Sequence, residues 1–146
     1  MRRGTYAARV RDRLTLGTCW LLLVVAGVLL ALVGSFLVPQ RLLGVPGIAL
    51  VVALLGNAGT GILGGRAGGL IGAAVPQAAW IVVALLAAST GPGGDVIVPG
   101  RLPSDPWVSR IGVLFIVAGI AGAGIGFFLV TRRRFTGRPG MPTSPV

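Results

Sequence analysis

The chain is predicted to be an all-α polytopic membrane protein with four transmembrane helices and both termini in the cytoplasm. Two observations carry that expectation. Residues 14–38, 42–63, 67–88 and 111–130 contain no charged side chain, and each stretch reaches the ~20 apolar residues needed to cross a hydrocarbon core about 30 Å thick. The arginines between them are divided unevenly among alternate gaps, which is the pattern that fixes orientation in a membrane.

The four spans take up most of the 146 residues. Three parts are expected: a basic cytoplasmic N-terminal tail (1–13), a four-helix transmembrane domain (14–131) and a basic, disordered cytoplasmic C-terminal tail (132–146) that bears Pro and Gly from Thr136 onward. Hydrophobic residues make up 54% of the chain and charged residues 11%, a balance suited to lipid because a water-soluble domain needs a larger polar surface.

Arg2, Arg3, Arg9, Arg11 and Arg13 precede the first stretch as the positive region of a signal peptide would. Its apolar length of ~25 residues exceeds the 7 to 15 of a signal peptide's hydrophobic region, so it is expected to be retained as a span. Cys19, near its start, is the only cysteine and cannot form an internal disulfide.

Spans two and three are joined by Gly64-Gly65-Arg66-Ala67-Gly68-Gly69, too short for anything but an antiparallel hairpin. Counting outward from Ala67 sets Asn57 and Gln77 ten residues away on either side, at the same depth. Their amides could satisfy each other there, a pairing worth about 0.6 to 2 kcal/mol in a membrane. Pro76 removes a backbone donor and leaves a carbonyl free for a polar partner. Asn57, Thr60, Pro76, Gln77 and Trp80 are therefore the candidate interhelical polar group. They could also line a substrate or ion pathway, although no intramembrane charge accompanies them, as it usually does in a pathway.

The external loop, residues 89–110, contains Asp95-Val96-Ile97-Val98-Pro99, either a short extended segment or part of an ordinary connection. Trp107 stands where it can anchor the start of span four at the interface.

Orientation follows from counting. Five N-terminal arginines including Arg9, Arg11 and Arg13, then Arg66, then Arg132, Arg133, Arg134 and Arg138 make ten on one face, against Arg41, Arg101 and Arg110 on the other. The richer face is retained in the cytoplasm of a plasma membrane. The same tails could bind anionic lipid, but they lack the interleaved aromatics of a single-strand binder, so no nucleic acid is expected as a partner.

Helices in lipid associate through close backbone approach, which favours small residues at every fourth position. Gly27, Ala31 and Ser35 form such a row in span one, Ala49, Ala53, Asn57 and Gly61 in span two, and Ala118, Gly122 and Gly126 in span four. These rows predict packed faces within one bundle or between subunits. Span three shows no such row.

Chemistry is restricted by inventory. All thirteen basic residues are Arg, and Lys, Glu and His are absent. The three aspartates are scattered, so no catalytic residue, metal ligand or cofactor site is expected. Gly59-Thr60-Gly61-Ile62-Leu63-Gly64 spells a dinucleotide fingerprint but lies inside a span, with no preceding strand and no acid ~20 residues later.

Gly56-Asn57-Ala58-Gly59, Gly64-Gly65, Pro76 with Trp80, and Pro92-Gly93-Gly94-Asp95-Val96 stand in an order that resembles a family of small actinobacterial four-span integral membrane proteins of unknown function. The resemblance covers roughly residues 20 to 130. It implies an actinobacterial plasma-membrane protein and carries over no catalytic residue.

The expected function is a non-catalytic accessory or packing subunit, with the lipid bilayer and a membrane protein or further copies of the chain as partners. The alternatives are a small self-associating channel or carrier with Asn57, Gln77 and Trp80 on its path, and a membrane anchor for a cytoplasmic enzyme.

Overall fold

A computed structural model describes residues 3–42, 45–89, 98 and 106–136. It contains three helices, α1 (Arg3–Leu37), α2 (Ile48–Ala88) and α3 (Pro106–Thr136), and a two-residue antiparallel pair, β1 (Arg41–Leu42) with β2 (Val45–Pro46). Gly17–Leu37 of α1, all of α2 and Arg110–Arg132 of α3 are each long and apolar enough to cross a membrane.

The second and third expected spans are one element, α2. Straight, its 41 residues would extend about 60 Å, twice the hydrocarbon thickness. The backbone leaves the helical region at Gly68 (φ −141°, ψ 18°) and Gly69 (φ 64°, ψ −144°). Gly69 occupies a region that only glycine enters without strain. The two arms, residues 48–67 and 70–88, fold back on each other, and Gly64 and Gly72 then meet backbone to backbone.

Helix ends also differ from the apolar stretches. Residues 42–46 were expected to begin span two, but the first arm starts at Ile48. Pro46 disfavours helical geometry at Val45, and Gly47, at φ 105°, turns the chain so that its carbonyl accepts from the Leu50 N–H at 2.9 Å. The basic segment before residue 14 continues α1 from Arg3, and residues 132–136 continue α3 where the sequence suggests disorder. Arg and Ala are good helix formers, and basic residues suit the C-terminal end of the helix dipole. Residues 137–146 lie outside the described residues.

α2 packs against both α1 and α3. The large apolar side chains point outward, among them Leu21, Leu55, Ile71, Leu86, Ile120 and Phe128, while the interior is mostly Ala, Gly and Ser around Trp80 and Phe115. Such a continuous apolar exterior would be an aggregation surface in water. It matches lipid, which solvates leucine as well as another leucine does.

The interior glycines are packed to contact. A methyl group built on Gly122 would collide with the Leu54 carbonyl oxygen, whereas one on Gly59 meets nothing within 4 Å. Gly122→Ala should therefore lower stability in detergent by about 1–3 kcal/mol. Gly59→Ala should be neutral or raise stability by up to about 1 kcal/mol through helix propensity. Equal effects in thermal unfolding would contradict this packing.

Candidate functional site

The reversal at Gly68 and Gly69 brings the middle of the two α2 arms together and assembles the polar residues of the interior. Gln77 Nε2 donates to the backbone carbonyl of Asn57 at 2.8 Å and to Thr60 Oγ1 at 3.3 Å. Thr60 Oγ1 itself donates to the Gly56 carbonyl at 2.9 Å. Asn57 and Gln77 are both buried.

The two amides do not pair side chain to side chain. Asn57 Nδ2 donates back to the Ala53 carbonyl, one turn earlier in its own helix, at 2.8 Å. Gln77 reaches past it to the main chain because Gly61 stands opposite; a methyl group there would lie 3.2 Å from Gln77 Nε2. Among the described residues, Asn57 Oδ1, Gln77 Oε1, Trp80 Nε1 and Ser35 Oγ are buried with no hydrogen-bond partner. Unsatisfied polar atoms of this kind are costly in a dry interior.

Pro76 has no N–H to give the Gly72 carbonyl one turn earlier. That carbonyl points at Gly64, and the Pro76 carbonyl points at Gly27 of α1. Each contact aims a glycine Cα–H at a backbone oxygen, a weak hydrogen bond. Gly122 meets the Leu54 carbonyl in the same way, and Gly126 meets that of Ala58. Trp80 fills the remaining space, its ring centroid 5.5 Å from that of Phe115 at 52° and its edge against Gly119.

Of the residues expected to pack helices, Gly27, Ala31, Ser35, Ala53, Gly61, Gly122 and Gly126 are buried, and Ala118 is half-buried. The inward face of α3 instead runs Gly112, Phe115, Gly119, Gly122 and Gly126, alternating steps of three and four residues. A strict four-residue count finds Gly122 and Gly126 but misses Gly112, Phe115 and Gly119. The second arm of α2 also has a packed face, Gly72, Pro76, Trp80, Ala84 and Ala87, hidden in the sequence because its large members interrupt the small ones.

Gly65 packs against Val130 and Gly68 against Trp20, so Arg66, the start of the apolar part of α1 and the end of α3 with Arg132 share one end of the bundle. Arg66 and Arg132 are exposed there. Arg9, Arg11 and Arg13 continue the α1 backbone from that end, and Arg133 and Arg134 that of α3. At the other end Arg41 is exposed, and Arg110 lies over the Trp107 ring, 6.0 Å from its centroid. Of the segment 95–99 only Val98 is among the described residues. It is buried, and its N–H donates to the Ala87 carbonyl at 3.0 Å.

Amides, a hydroxyl and an indole N–H exchange hydrogen bonds, not protons, near neutral pH. Comparison with protein-family models, curated proteins and solved structures returns no match to this chain.

Gln77→Met, which keeps the length and removes the amide, should lower stability by about 0.6 to 2 kcal/mol. Because Gln77 bonds the main chain of residue 57, Asn57→Ala should preserve that bond. The two changes should then add to within about 0.5 kcal/mol in a double-mutant cycle, and a coupling well above that would show that the amides bond each other.

Proposed function

We propose that this chain is a non-catalytic accessory or packing subunit of a membrane assembly. It is a four-span bundle of a plasma membrane, in which each α2 arm crosses once and both termini are cytoplasmic. The observation that carries this reading is that the close-packing faces are filled from within one chain. The small-residue faces are occupied by the chain's own helices, and His, Lys and Glu are absent from the sequence. The outward face of large aliphatic residues is then the main asset left for function, and it suits contact with lipid or with a partner's helices.

The two arms, about 30 Å and 28 Å long by helical rise, each match one crossing. Grouping of the N-terminal basic stretch, Arg66 and Arg132 at one end supports placing that end in the cytoplasm.

Burial of Asn57, Gln77 and Trp80 inside one chain weighs against a channel or carrier whose path runs between copies, since such a path needs them on an outer face. The shared basic end favours, as a second reading, an anchor for a cytoplasmic enzyme.

Cross-linking in native membranes followed by the mass of the complex in mild detergent tests the proposal. A stoichiometric foreign subunit is expected. A complex built only of this chain, with solute flux in liposomes, would replace the accessory reading with the carrier. For orientation, a reporter active only in the cytoplasm should work when fused to either terminus, and silence at both ends would reverse the assignment.

A further inference from the structure

Cys19, Leu22, Leu23 and Ala26 of α1 and Leu63 and Ala67 of α2 line a groove of about 300 Å³ on the outer surface. Elsewhere on that surface many large aliphatic side chains are exposed. Here Ala26 and Ala67 leave a concavity that one acyl chain can enter, burying methylenes against leucine side chains on either side.

The groove has a charged rim. Ala67 follows Arg66, and Leu63 precedes it by one helical turn. Arg66 is exposed. The α1 backbone is helical from Arg3, which sets Arg13 about 9 Å beyond Cys19 along the axis, on the headgroup side of the groove. An apolar slot opening toward positive charge is complementary to a molecule that joins an alkyl chain to an anion.

We propose that this groove is a binding site for an anionic phospholipid, one acyl chain lying between α1 and the first arm of α2 and the headgroup phosphate against Arg66. The inference requires only that the chain is in a membrane. It does not depend on the accessory-subunit reading, and either can fail without the other.

The full chain reconstituted in phosphatidylcholine vesicles tests it. The probes are phosphatidylglycerol or phosphatidylcholine carrying a photoreactive diazirine in one acyl chain, with adducts mapped by peptide mass spectrometry. The phosphatidylglycerol probe should label residues 19–26 and 63–67 to saturation, about fivefold above the phosphatidylcholine probe, the ratio that one arginine near an anionic surface is worth. Arg66→Gln should remove that preference, and Ala67→Leu, which fills the groove from an exposed position, should reduce labelling by both probes. Equal labelling by the two probes, or labelling unchanged by both substitutions, would overturn the site. Rapid Cys19 to Cys19 disulfide formation in the vesicles would also overturn it, because a second copy would then cover the groove.

Discussion

Close approach between glycine Cα atoms and backbone carbonyl oxygens is the constraint on which the rest of the bundle depends. It ties the α2 arms together through Gly64 and Gly72, α1 to the second arm through Gly27 and Pro76, and α3 to the first arm through Gly122 with Leu54 and Gly126 with Ala58. In lipid no hydrophobic force drives apolar helices together, so their association comes from dispersion and short-range electrostatics that act only at contact distance. A weak Cα–H bond contributes about 0.5–1 kcal/mol. Several in register also bring the flanking side chains within range of dispersion, where many small contacts accumulate.

The polar centre follows from the same constraint. With the arms this close, Gln77 meets the main chain at Asn57 across Gly61 before it meets a second amide. Pro76 contributes by what it lacks, since the missing N–H leaves the Gly72 carbonyl for Gly64. Asn57, Thr60 and Gln77 therefore act as an interhelical clasp inside one chain.

The outer surface has the opposite character. Removing bulk from the interior leaves the large aliphatic and aromatic residues facing out, where lipid accepts them at no cost. Against that surface the groove beside Arg66 differs in shape and the two ends of the bundle differ in charge. Those are the features by which a bilayer component or a neighbouring protein could distinguish one face of this molecule from another.

The sequence by itself determined the helical class, the apolar lengths, a reversal somewhere within residues 64–69 and the nearness in depth of Asn57 and Gln77. Each of these depends on local composition or on counting along a helix of known rise. Tertiary structure alone decided that the Gln77 amide goes to a backbone carbonyl, that the inward face of α3 includes Gly112, Phe115 and Gly119, and that the Val98 N–H meets the Ala87 carbonyl. The physical reason is that these outcomes depend on helix rotation and on distances of a few tenths of an ångström between elements far apart in the chain. Spacing in one strand of sequence carries no information at that scale.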